Sequence, residues 1–311
     1  MIQKQGHRLF PMALLTAVGL FIIILMGFID TLTTSTMGCG KQWPLCQGGW
    51  IPSDWNFHAF VEYAHRFVVM LIVMVMTITY VLTWRRFTGS KKVKGLITLA
   101  VAAVMIEAGL GASSVLLENP PFILAFHMGV SLTAFTAATL LAAVVHQLEK
   151  DQQQSPPPFE RTRQFKRLSM LTLVLAFVAI YFGAYVTHSG HGSQFRGWLI
   201  PSETVGQGLL LDLIHRGLAF GLCVCVITLA AQSFRIRRFR HDLFSASVCA
   251  LLCIFLQIVC GFFMILTHAA PIVFLAHISF ASLLFAAIAY LVLQSMDLNR
   301  QHNVSRHGGL H

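Results

Sequence analysis

Eight stretches of the chain are almost free of charge over the length needed to cross a bilayer, about 20 residues. They run roughly over 11–32, 59–84, 95–117, 122–146, 169–188, 209–233, 243–266 and 272–294. In lipid every backbone polar group must find its partner within the chain, and a helix meets that demand alone. The pattern therefore predicts an all-α polytopic membrane protein with eight transmembrane helices. Glu118-Asn119-Pro120-Pro121 is so short a connection that the third and fourth helices must be antiparallel neighbours. The polar run around Pro156-Pro157-Pro158 divides the chain. We expect an N-terminal four-helix bundle over 1–150, a linker over 151–166 and a C-terminal four-helix bundle over 167–311.

Composition agrees with this pattern. The chain is 56% hydrophobic and 11% charged, too few charges to cover a soluble globule of 311 residues. A net charge of +10 would suit a nucleic-acid partner, but the basic residues are confined to short segments between apolar runs. Those segments (1–10, 85–94, 147–168, 234–242 and the tail) hold 18 of the 22 Lys and Arg. The opposite loops hold only Lys41 and Arg196. Positive-inside bias then puts both termini and the 151–166 linker in the cytoplasm of a cell-membrane protein. The first apolar run carries no small-residue cleavage site after a short core and reads as a retained helix.

The two halves repeat each other. Glu62-Tyr63-Ala64-His65-Arg66 matches Asp212-Leu213-Ile214-His215-Arg216, and Ala125-Phe126-His127 matches Leu275-Ala276-His277. His65 to His127 and His215 to His277 are both separations of 62, and each histidine returns after 150. Gly111 and Gly261 keep that offset. The inference is a duplicated four-helix unit, giving two pseudo-symmetric bundles. Helices two, four, six and eight enter from the outer side, and at 1.5 Å per residue their histidines lie roughly 8–9 Å deep. A single membrane histidine is more often a satisfied core side chain. Four at one depth, two per unit, point to ligands, because polar groups are costly in the bilayer. Neutral imidazole suits haem iron, and bundle cores hold cofactors between facing helices. Zinc competes poorly, since a closed site needs about four converging ligands.

Glu62 and Asp212 precede their histidines by three residues and precede Arg66 and Arg216 by four. Each acid is thus placed for an ion pair along its helix, or for work beside a haem edge, with the arginines near the propionates. Glu107, whose repeat partner is Gln257, reads as a residue bonded to a neighbouring helix. Cys39 and Cys46 are the only cysteines outside the spans, in an outer loop where thiols oxidise. A structural disulfide and a redox-active pair are both open. The other five cysteines read as small buried hydrophobes.

Together, the Gly38-Cys39-Gly40 to Trp43-Pro44-Leu45-Cys46 loop, the Glu62-x-x-His65-Arg66 segment and the matching His127, His215 and His277 resemble haem A synthase of the bacterial cytochrome-oxidase assembly pathway. The resemblance implies that His215 and His277 hold a permanent haem b. It implies that His65 and His127 frame the site where the C8 methyl of haem O becomes a formyl, with Glu62 as catalytic acid. Cys39 and Cys46 would match a cysteine pair implicated in catalysis. Haem O synthase and a thiol–disulfide or other electron-transfer protein become the expected partners, alongside membrane lipid; a homo-oligomer is left open and nucleic acid is not expected. Some members carry a second cysteine pair in the later loop; residues 189–208 have none. The rival readings are a dihaem b-type cytochrome and a haem transporter or chaperone.

Overall fold

A computed structural model describes residues 8–150, 162–191, 197 and 207–307, with side chains undescribed for Thr162, Gln207 and 297–307. Among the described residues there are eight helices: α1 (Phe10–Leu32), α2 (Phe57–Arg86), α3 (Lys91–Leu116), α4 (Pro121–Glu149), α5 (Thr162–His188), α6 (Gln207–Arg235), α7 (His241–Leu266) and α8 (Pro271–His307). All eight are long and apolar enough to span a membrane. The eight expected spans are present, and most are longer than their apolar cores. The extra turns lie mainly at the basic ends: α3 starts at Lys91, α5 at Thr162, and α8 continues to His307. Helical hydrogen bonding does not stop where hydrophobicity does, and polar residues propagate a helix that lipid has already nucleated. Most of the expected 151–166 linker, residues 151–161, lies outside the described residues.

Local chemistry sets several ends. Asn56 accepts from the Ala59 N–H at 2.9 Å and starts α2. Ser90 accepts from the Val93 N–H at 3.3 Å and starts α3. Pro121 and Pro271 begin α4 and α8, where a missing N–H costs nothing. The α3–α4 and α7–α8 connections share one geometry. Glu118 and Asn119 have φ of 61° and 59°, and His268 and Ala269 have 50° and 62°. Asn119 N–H donates to Ser114 O at 2.7 Å, and Ala269 N–H to Met264 O at 2.8 Å, each over five residues. These bonds satisfy carbonyls left open at the helix ends.

The chain divides into two compact units, Met1–Gln153 and Gln154–His311. In the first, α4 packs against α1 and α3, and α2 packs against α1 and, lightly, α3. In the second, α8 packs against α5 and α7, and α6 bridges the other sides of those two. In each unit the helices carrying the matched histidines, α2 with α4 and α6 with α8, are diagonal, and their backbones do not approach closely among the described residues. α4 is the hub of its unit: 72% of its apolar window is buried, against 22% for α2. Its buried Ala134, Ala137, Ala138 and Ala142 explain the close approach, since small residues drive helix packing in lipid. Thr16 and Thr79 bond across α1 and α2 at 3.2 Å. At the opposite corner the Leu9 N–H donates to Glu149 Oε1 at 2.6 Å, so the end of α4 caps the start of α1. The second unit is tied at its basic end by Phe165, Leu229, Ile236, Leu243 and Leu291, and by a Ser233–Ser247 bond of 2.7 Å.

Candidate functional site

The first unit assembles a polar cluster at the entry of α2. Its scaffold is the loop following α1, closed by a Cys39–Cys46 disulfide. Both cysteines are buried, because Arg66 and Glu62 draw the loop down onto α2. The Cys39 N–H donates to Glu62 Oε2 at 2.7 Å, and Arg66 Nη2 donates to Glu62 Oε1. Arg66 Nη1 donates to the carbonyls of Leu45 at 2.8 Å and Gln42 at 3.2 Å. Glu62 and Arg66 thus form the ion pair along the helix, and both also grip the disulfide loop. Lys41 pairs with Glu118 at the rim and holds that exposed carboxyl below its usual range.

One turn further in, His65 Nδ1 lies 2.5 Å from Oδ2 of buried Asp30 on α1. Asp30 and Glu62 are near enough for their charges to interact. Across the unit, His127 on α4 has its Nδ1 3.4 Å from Glu107 Oε1 on α3. Glu107 also accepts from Ser131 Oγ on α4, so it does bond to a neighbouring helix as its sequence position suggested.

The second unit keeps the histidines and changes their surroundings. Asp212, almost wholly buried, accepts from Arg216 Nε at 2.6 Å, while its Oδ2 has no partner among the described residues. His215 Nδ1 is likewise buried without a hydrogen-bond partner there. His277 sits beside the Gln257 main chain and is close enough to His215 for their charges to interact.

A glycine on the preceding helix faces each of the four rings. A Cβ at Gly27, Gly111, Gly183 or Gly261 would lie 3.4, 3.5, 2.9 or 3.7 Å from Cε1 of His65, His127, His215 or His277. Gly111 and Gly261 stand out in the sequence by their shared offset of 150, but Gly27 and Gly183 are 156 apart and escape that register. The loop after α1 spans 24 residues and the loop after α5 spans 18, which accounts for the shift of six. Asp30 is also missed by the repeat. Its signal is its place as the lone acid in an apolar span, where an ionisable residue marks function. Among the described residues no group of three or more His, Cys, Asp or Glu converges on a point suited to a bare metal ion. His268 is exposed in its turn, and His191 bonds to Ser189 at 3.1 Å.

The profile of the cytochrome oxidase assembly protein family (COX15-CtaA) matches residues 53–289. The chain is 26% identical to a heme A synthase of Geobacillus thermodenitrificans over 290 residues, covering 92% of this chain and 91% of the relative. It is 28% identical to a heme A synthase of Staphylococcus carnosus over 300 residues, covering 95% and 96%. A heme A synthase of Staphylococcus epidermidis is 24% identical over 303 residues, covering 96% and 99%. With its eight membrane-length helices and a match over most of its length, the chain is a multi-pass membrane protein that belongs to the cytochrome oxidase assembly protein family.

Proposed function

We propose that this protein is a haem A synthase, an oxidoreductase that converts the C8 methyl of haem O to a formyl and so supplies haem A for cytochrome oxidase. The observation that carries the reading is the asymmetry of two otherwise parallel units: each presents a histidine pair on diagonal helices, and among the described residues only the first adds a carboxylate, Glu62, hydrogen-bonded to the main chain of a disulfide loop one turn from a histidine. A cytochrome built only for electron transfer has no use for that difference.

The residues fit haem. The histidines sit on diagonal helices, glycines clear the rings, and His215 Nδ1 and Asp212 Oδ2 are buried polar atoms without partners among the described residues. In this reading His215 and His277 are the axial ligands of a resident haem b, in the half spanning 167–311. That haem would supply one-electron redox chemistry. His65 and His127 frame the substrate, haem O, in the half spanning 1–150. Arg66 and Arg216 are within reach of propionates at the outer ends of α2 and α6, although Arg66 is already engaged with the loop.

Converting a methyl to a formyl adds oxygen and removes electrons and protons. Glu62 is placed to accept a proton or to stabilise positive charge at the reacting edge, in surroundings of low dielectric. The Cys39 N–H and Arg66 fix the direction of its carboxylate lone pairs. The charge pattern of the loops supports an orientation in the cell membrane with both termini cytoplasmic and the disulfide loop on the outer side. Haem O synthase would deliver the substrate, and a thiol–disulfide or other redox protein would exchange electrons on the outer face. Co-expression with a haem O source, followed by mass analysis of extracted haems, tests the function. Haem A is expected; recovery of haem O and haem b alone would favour a dihaem cytochrome or a carrier.

A further inference from the structure

In the first unit His65 is hydrogen-bonded through Nδ1 to a carboxyl group and His127 has one at ion-pair distance, whereas among the described residues neither histidine of the second unit has a carboxyl group at its Nδ1. His65 has Asp30 at 2.5 Å, and His127 has Glu107 at 3.4 Å. The glycines that face the rings give the register for comparison. Asp30 follows Gly27 by three residues, and the residue three after Gly183 is the buried Val186. Glu107 precedes Gly111 by four, and the residue four before Gly261 is the neutral Gln257. The duplicated scaffold therefore carries two acids where its twin carries a valine and an amide.

Acids in a bilayer are costly and persist where they are used. Asp30 is buried, and its Oδ1 has no partner among the described residues, so His65 is the side-chain partner that accounts for its position. A carboxylate that accepts the Nδ1–H of an imidazole fixes the tautomer and ring orientation, and raises the basicity of Nε2. Bonds of this kind tune the potential of the iron that the ring ligates.

We propose that Asp30 is a positioning residue of the first haem site: by accepting from Nδ1 it directs Nε2 of His65 toward iron and makes that histidine a stronger electron donor than its counterpart in the second unit, while the Glu107 carboxyl, 3.4 Å from His127 Nδ1, adds to the field beside the other ring. The inference rests on the reading of the four histidines as axial ligands. It gives the first unit a haem held at lower potential than the second, with the ferric form favoured where the substrate sits. Sequence identity at the histidines conceals this difference, because it lies wholly in what stands behind them.

The test uses the full-length protein in lipid nanodiscs, loaded with haem O. Midpoint potentials are read by spectroelectrochemical titration, and ferric ligand fields by electron paramagnetic resonance, with the second site as internal reference. Asp30→Asn should raise the first-site potential and shift its resonance while the second site stays fixed. Asp30→Glu should return both readings toward the parent, and Glu107→Gln should repeat the rise in smaller measure. A haem-loaded Asp30→Asn with unchanged potential and resonance overturns the proposal. Where Asp30→Asn does not retain haem, Glu107→Gln decides by the same two readings. His65→Ala separates the underlying reading: a first-site spectrum unaltered in that variant refutes ligation by His65, whatever the potentials do.

Discussion

The main-chain N–H of Cys39 donates to Glu62 Oε2 across 2.7 Å, so the disulfide loop and the carboxylate beside His65 form one piece of structure. Arg66 completes it by bonding to Glu62 and to the carbonyls of Gln42 and Leu45. Glu62→Gln keeps the shape and a carbonyl acceptor while removing charge and basicity. We expect that variant to fold, to retain haem b and haem O, and to lose haem A formation by about a hundredfold or more, the usual scale for a general acid–base. Haem A per haem-loaded protein is the measurement. Near-normal yield would leave Glu62 with only its ion pair.

The buried disulfide makes a second expectation. Cys39 and Cys46 are 0% and 2% exposed, so a membrane-impermeant maleimide should label neither until a reductant has opened the loop. After reduction both should react from the side of the disulfide loop. Modification of either thiol in untreated membranes would show that the bond is absent in the cell.

His215→Ala and His277→Ala remove the proposed ligands of the resident haem. Each variant should lose most of the low-spin b-type absorption of the purified protein. Full haem content with an unchanged spectrum in both would move that haem elsewhere.

Glycine substitutions offer a graded probe of ring placement. A Cβ at Gly183 would lie 2.9 Å from His215 Cε1, a distance at which the ring must move. The same addition at Gly111 meets His127 at 3.5 Å, an ordinary contact. Gly183→Ala should therefore lower haem content or shift the low-spin bands, whereas Gly111→Ala should leave its site close to the parent. Equal effects from the two would show that glycine does not set the orientation of these rings.

Hydrophobic runs read against bilayer thickness located all eight helices, because length and apolarity suffice to define a span. Helix ends were less legible: Lys91, Thr162 and the residues after 294 extend their helices through polar sequence. The four histidines were visible because duplication printed them twice at one spacing, whereas Glu62, whose counterpart is Asp212, drew its expected role from the family resemblance. Asp30 and the Gly27–Gly183 pair were hidden, because the longer loop of the first unit breaks that spacing for α1 and α5. The contact between Cys39 and Glu62 joins residues 23 apart through a main-chain N–H, which no side-chain pattern announces. Nor could the twin left-handed turns be read, since Glu-Asn and His-Ala share no turn signature.

The bond from Leu9 to Glu149 bears on how the protein is made. Its two ends are 140 residues apart, so the first helix enters the membrane long before its cap exists. Until the ribosome has passed α4, the early amides of α1 must be held by water or lipid headgroups. The N-terminal unit therefore closes as a late event of its own synthesis, when the last residues of α4 arrive beside a helix that has been waiting for them. A chain truncated before Glu149 would leave α1 inserted yet unlatched, its first amides without their carboxylate.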